Sequence, residues 1–230
     1  MGKKLITFSV WGQDETYLQG ALENAKLAQE IYPGWTCRFY VCSSTYWMKH
    51  KWVQKLLEFD NVSVVLRETT PSYCNGSFWR FEPMNEEGID VMISRDTDSR
   101  LSLREKAAVD EWLESPFSFH VMRDHPYHNS YPILAGLFGI KKGKIQNIQD
   151  LILKWDMRTF EREYHNDQDF LATVVGALIE EDCMGHDSFG GVPGARPFPT
   201  PRENLEFVGA SFDSLNHSNP SHDAALKNVL

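Results

Sequence analysis

Cysteine, basic charge and long apolar runs are all scarce in this chain of 230 residues. Its four cysteines, Cys37, Cys42, Cys74 and Cys183, form no Cys-x-x-Cys pair and no zinc-ribbon spacing, a density that suits a reducing compartment. No stretch approaches the ~18 apolar residues that a membrane-spanning helix needs, so no membrane span is expected. The opening Met1-Gly-Lys-Lys-Leu-Ile-Thr-Phe-Ser-Val-Trp11 does not read as a secretory signal. Gln13-Asp14-Glu15 follows it at once, with no small-residue cleavage site. Ile6 stands where N-myristoylation needs Ser or Thr. Lys plus Arg total 23 against 32 Asp plus Glu, a formal net charge of −9. Such a surface repels a phosphate backbone or an anionic bilayer, so no nucleic-acid partner is expected. Internal repeats and low-complexity tracts are absent as well.

What is present is an ordinary globular composition, 42% apolar and 13% aromatic, in a chain long enough for one domain with a substantial core. Apolar runs and helical periodicities alternate through the first half. Strands are predicted at Leu5–Val10, Arg38–Cys42, Val62–Leu66, Ile89–Ile93 and Phe117–Met122. Between them, Leu18, Leu22, Ala25, Ala28 and Ile31 recur at helical spacing, and Trp52–Phe59 reads as a second helix. Ser102-Leu-Arg-Glu105 is a capping box that opens a third, running to Glu114. Further on, Leu134–Ile140 reads as a strand, Ile148–Trp155 as a helix, and a longer helix starts near Asp167 and reaches Ile179. From Gly185 onward no period is visible. The alternation predicts an α/β domain over residues 1–218, with a mixed, mainly parallel sheet flanked by helices, and a frayed tail over 219–230. Ligands of such sheets bind beyond the carboxyl ends of the strands, so chemistry is expected after Val10, Ile93 and Met122.

One acidic motif lies at such an end. Val91-Met-Ile-Ser-Arg-Asp96-Thr-Asp98 runs an apolar strand straight into Asp-x-Asp. Two carboxylates at that spacing can converge on a hard divalent cation and leave places for phosphate oxygens; the plain alternative is an acidic surface turn. A second pair, Asp167-Gln-Asp169, follows Tyr164-His-Asn166 and opens a helix. It reads as helix capping or as a polar group beside a sugar's anomeric carbon. His186, in Gly185-His-Asp-Ser-Phe189, is a solvated loop histidine or a third metal ligand. Arg123-Asp-His125-Pro-Tyr-His128 follows the fifth strand and reads as hydrogen bonding to a polar substrate or as a solvated loop, while Pro126 bars a regular helical zinc pair. Arg80, between Trp79 and Phe81, suits phosphate or sugar oxygens, or packs over a hydrophobic neighbour.

These motifs together resemble a GT-A-fold glycosyltransferase. The runs Ser94-Arg-Asp-Thr-Asp-Ser-Arg-Leu-Ser-Leu-Arg-Glu-Lys-Ala-Ala-Val-Asp-Glu-Trp-Leu113 and Met122–His128 resemble the small glycosyltransferase domain encoded by chlorella viruses and its viral and bacterial relatives. The likeness extends from Leu5 to Phe212. It implies a Rossmann-like nucleotide-binding half, a UDP-sugar donor, a glycan or glycoprotein acceptor, and Mn²⁺ or Mg²⁺. Asp96 and Asp98 match the metal-binding Asp-x-Asp, and His186 matches a downstream histidine that completes such sites. Phe8, Ser9, Val10 and Trp11 fall where uracil and ribose lie. Arg80, Arg95, Thr97, His125 and Gly136 fall to the donor. Asp167 and Gln168 fall near the anomeric carbon; Asp167 or Asp169 is the base if the reaction inverts, and the resemblance favours retention. A cytoplasmic protein is implied, in the host cytoplasm if viral. Two other classes compete. A haloacid-dehalogenase-type phosphatase also carries Asp-x-Asp, but wants its strand near the N-terminus and Thr or Val where Arg100 stands. A non-catalytic carbohydrate-binding module needs neither acidic cluster.

Overall fold

The run Leu5–Val10 lies buried along its whole length, as a strand covered on both faces must. In the computed structural model, which describes residues 2–68, 75–156, 166–179 and 181–230, it is the core of β1 (Lys3–Val10). Cys74, Tyr164 and His165 lie outside the described residues. The other strands are β2 (Thr36–Cys42), β3 (Val62–Arg67), β4 (Ile89–Ser94), β5 (Phe119–Arg123), β6 (Phe138–Lys141) and β7 (Cys183–Asp187). They form one sheet in the order β3-β2-β1-β4-β6-β5-β7. β6 runs antiparallel to both neighbours, and the remaining pairs are parallel. The predicted α/β class, with a mixed and mainly parallel sheet flanked by helices, is the observed one.

The helices are α1 (Glu15–Ile31), α2 (Ser43–Met48), α3 (His50–Leu57), α4 (Asn75–Phe78), α5 (Leu103–Glu114), α6 (Ile148–Asp156), α7 (Asn166–Phe170), α8 (Gly176–Ile179) and α9 (Pro220–Lys227). Two-residue alternation along β1 divides the core. Ile6, Phe8 and Val10 pack with Leu18, Ala21 and Ala25 of α1. Leu5 turns to the other face, into a cluster with Met92, Phe81 and Phe170. Half of the predicted capping box is present: Ser102 Oγ accepts the Glu105 N–H at 3.2 Å at the start of α5, while the Glu105 carboxylate turns inward to accept from Arg95 and Tyr32. Among the described residues no helix is long and apolar enough to cross a membrane.

Three expectations need correction. Leu134–Ile140 is only partly strand: Ala135–Leu137 makes a 3-10 turn before β6 begins at Phe138. Residues from Gly185 are not wholly irregular, because Cys183–Asp187 pairs with β5 along its length. No β-branched residue marks that strand; Gly185 lets it close on Val192 and Ala195 instead. Finally, 219–230 is not a frayed tail. Asn219 caps α9 by accepting the Ser221 N–H at 3.0 Å, Pro220 occupies the first turn, and Leu226 is fully buried.

Candidate active site

β1 and β4 are parallel neighbours, paired Ile6 with Ile93 and Thr7 with Ser94, so their carboxyl ends open side by side. A cavity of about 690 Å³ lies there. Ser9 of β1 and Trp11 just beyond it, Asp96, Thr97 and Asp98 from the β4 exit, Gly136 before β6, and Asp167 and Gln168 from α7 all line it. With His128 from beyond β5 also in the lining, all three segments expected to carry chemistry, and the second acidic motif, meet in one place.

Arg80 joins them. It sits in the 3-10 turn Trp79–Asn85 that follows α4, with its backbone N–H on Ser9 Oγ at 3.1 Å. One guanidinium nitrogen donates to the Asp96 carboxylate and to the Arg95 carbonyl, at 3.2 Å in the second case. The other donates to Asp167 Oδ2 at 2.7 Å. Burial works against its charge, but the fields of Asp96 and Asp167 outweigh burial and raise its pKa further. Asp167 Oδ1 accepts the Gln168 N–H at 3.0 Å, so both of its oxygens are engaged.

Asp96 and Asp98 sit close enough to repel. Burial, followed by the Asp96 charge, pushes the Asp98 carboxyl up to about 6. Such a pair, oxygen-only and lining the cavity, suits a hard divalent cation that keeps part of its own water. Asp96 and Asp98 thus fit Mn²⁺ or Mg²⁺. Among the described residues no third His, Cys, Asp or Glu joins them.

The loop that presents them is held from behind by α1. Asn24 donates to the carbonyls of Thr97 (3.3 Å) and Ser99 (2.8 Å) and accepts the Leu101 N–H (3.0 Å). Gly20 permits this approach, since a Cβ there would stand 1.8 Å from the Thr97 carbonyl oxygen. Gly136 does the same on the cavity side, where a Cβ would meet Asp96 Oδ2 at 1.9 Å.

Several predicted site residues lie elsewhere. Phe8 and Val10 alternate away from Ser9 and Trp11 into the α1 face of the core, with Phe8 stacked on Phe39 at 4.7 Å. Arg95 is a structural ion: it donates to Glu105 at 2.8 Å and to the Phe138 carbonyl at 3.1 Å, and Tyr32 shares the same Glu105 oxygen. His125 packs on Phe207 (4.5 Å between ring centres) and hydrogen-bonds the His222 carbonyl at 3.0 Å. His186 is not brought to Asp96 and Asp98. Fully buried in β7, it meets His120 through Nδ1 (2.8 Å) and Glu111 through Nε2 (3.4 Å). Asp169 is not part of the cavity lining.

The structure adds residues that sequence reasoning passed over. Tyr17 and Asp14, from the start of α1, line the cavity beside Trp11, and Asp14 also caps the helix by accepting the Thr16 N–H at 2.8 Å. His128, already read as part of the motif after β5, lines the far wall from within the 3-10 turn Pro126–Ser130, whereas His125 does not line the cavity. Behind that wall, Asp124 is fully buried and accepts from Arg104 (2.8 Å), Arg202 (2.6 Å) and the Val208 N–H (2.9 Å).

No protein-family model and no curated protein sequence matches the chain. Among solved structures, a glycosyltransferase involved in the glycosylation of the major capsid of PBCV-1 is 13% identical, with 80% of this chain and 81% of that one covered and a TM-score of 0.47. A 4-diphosphocytidyl-2C-methyl-D-erythritol synthase from Anaerococcus prevotii is 9% identical over 81% and 86% of the two chains, TM-score 0.47. Mouse xyloside xylosyltransferase 1 is 10% identical over 79% and 82%, TM-score 0.43.

Proposed function

We propose that the chain is a metal-dependent glycosyltransferase that moves a sugar from a nucleotide diphosphate, a UDP-sugar, to an acceptor hydroxyl on a glycan or glycoprotein. The observation that carries this reading is the Arg80 bridge, which ties the Asp-x-Asp at the end of β4 to the start of α7 inside one cavity. An acidic surface turn or a plain helix cap has no need of a shared buried cation.

In this reading the nucleoside lies against Ser9 and Trp11, and Asp96 and Asp98 hold Mn²⁺ or Mg²⁺. The bound cation supplies positive charge opposite the diphosphate. Arg80 orients Asp96 and Asp167 and adds fixed charge beside the departing group. Asp167 has both oxygens engaged, which suits electrostatic support of a cationic sugar centre better than uptake of a proton. This supports retention of configuration over inversion by an Asp167 base. Gln168 lines the cavity beside it, and in this reading it orients the sugar.

The test is hydrolysis and transfer across a panel of UDP-sugars with Mn²⁺, with the product anomer read by NMR. Turnover of at least one donor with a retained anomer is the expected outcome. An inverted product would remove the retention assignment, and no turnover of any donor would remove the function.

A further inference from the structure

We propose that His128 is a recognition residue that presents one fixed N–H donor, from Nε2, to a hydroxyl oxygen of a sugar at the end of the cavity farthest from β1. The ligand rests on the glycosyltransferase reading; the tautomer rests on geometry alone.

His128 Nδ1 accepts the backbone N–H of Asp124 at 3.1 Å. A ring nitrogen that accepts carries no proton, so the single proton of the neutral imidazole is on Nε2. Asp124 cannot drift, because its carboxylate is locked by Arg104, Arg202 and the Val208 N–H. Nε2 makes no hydrogen bond among the described residues, although the ring lines the cavity. The adjoining Cε1 would lie 3.4 Å from a Cβ at Gly209, so bare backbone flanks the ring there. The ring also stays neutral. Burial pushes its pKa down to about 3, with His125, His222 and Arg123 acting the same way and only the Asp124 carboxylate opposing. His128 is therefore neither an anion-binding cation nor a general base at working pH.

Its place in the sheet indicates what it meets. Along the order β1-β4-β6-β5, Ser9 lies in β1 and Trp11 follows it, Asp96 and Asp98 follow β4, and His128 follows β5. Three steps of strand spacing put His128 on the order of 14 Å across the sheet from β1. A nucleoside at β1 and a diphosphate at Asp96 and Asp98 leave the His128 end to the sugar being transferred or to the sugar that receives it. A hydroxyl there can accept from Nε2–H while donating elsewhere, which a phosphate oxygen cannot do.

The experiment uses the full chain labelled with ¹⁵N, and long-range ¹H–¹⁵N spectra in which His128 is assigned by its loss in His128→Gln. The free protein is expected to show the Nε2–H tautomer, with no titration between roughly pH 5.5 and 8. With Mg²⁺ present, UDP is expected to leave the His128 signals in place and a hexose probe to move them. UDP-glucose or UDP-galactose moving them assigns the donor sugar; methyl glucoside or galactoside moving them in the presence of UDP assigns the acceptor. In turnover, His128→Leu is expected to raise KM for that substrate about 10-fold, and His128→Gln, which keeps an N–H, to recover most of it. An Nδ1–H tautomer, a titration inside that range, or signals unmoved by every hexose probe in a chain that binds UDP overturns the proposal. A chain that does not bind UDP overturns the glycosyltransferase reading instead, and the tautomer in the free protein still decides the geometric half.

Discussion

Gly136 leaves no room for a side chain beside Asp96, since an added Cβ would lie 1.9 Å from Oδ2. The Asp96 carboxylate is half exposed and can swing away, so Gly136→Ala should fold normally while displacing a proposed metal ligand. A fall in donor turnover of about 100-fold with a nearly unchanged Tm is expected; unchanged turnover would contradict the placement of Asp96. Arg80 gives a second test. Arg80→Met leaves the buried Asp167 without its counter-ion, at a cost of roughly 3–5 kcal/mol in urea unfolding. Adding Asp167→Asn should recover part of that loss, and strictly additive losses would show that the two do not act as a pair. Arg80 and Asp167 stand 87 residues apart, and nothing in either motif announces their pairing. The division of Ser9 and Trp11 from Phe8 and Val10, by contrast, was legible. A strand presents alternate residues to one face, and the family resemblance had placed all four together.

At the scale of elements, α1 serves as a brace for the Asp-x-Asp loop as much as a cover for the sheet. Asn24→Ala removes three hydrogen bonds and strands the Leu101 N–H, so a loss of roughly 1–3 kcal/mol is expected. The same variant should bind Mn²⁺ more weakly in a direct titration, because the loop that spaces Asp96 and Asp98 has lost its support. Lower stability with unchanged Mn²⁺ affinity would separate the brace from the site. Strongly periodic elements were readable in advance: α1 through Leu18, Leu22, Ala25, Ala28 and Ile31, β1 and β4 through short apolar runs, and α5 through its Ser102 cap. β7 was not, because Cys-Met-Gly-His-Asp has no strand pattern and exists as a strand only by pairing with β5. His186 was misread for the same reason. A histidine in an irregular loop is free to reach a metal, whereas one in a buried strand is bound by its neighbours. The α9 helix carried a signal in Asn219-Pro220, a cap followed by a first-turn proline, but it is short and mostly polar.

At the scale of the whole molecule, buried neutral histidines set the response to acid. Burial holds His120 well below its ordinary pKa and lowers His186, and His128 is down to about 3. As pH falls through about 6.5 the unfolded chain takes up protons that the folded one refuses. Stability is therefore full above that pH and is lost below it, by up to about 1.4 kcal/mol per pH unit for each such group. Asp98, raised to about 6, acts in the opposite sense but is a single group. A urea midpoint at pH 5.5 well below that at pH 7.5 is the expected result; equal midpoints would mean that these rings are not held neutral. The net charge of −9 belongs to the same scale. It argues against polyanionic partners, yet the proposed donor is itself anionic; in the proposed reading a cation held by Asp96 and Asp98, together with Arg80, makes the two compatible. The most direct measurement is therefore a calorimetric titration of UDP into the chain with Mn²⁺, into the chain with EDTA, and into Asp98→Ala with Mn²⁺. Binding in the first and its loss in the other two is the result this account requires; UDP binding that survives both chelation and Asp98→Ala would contradict it.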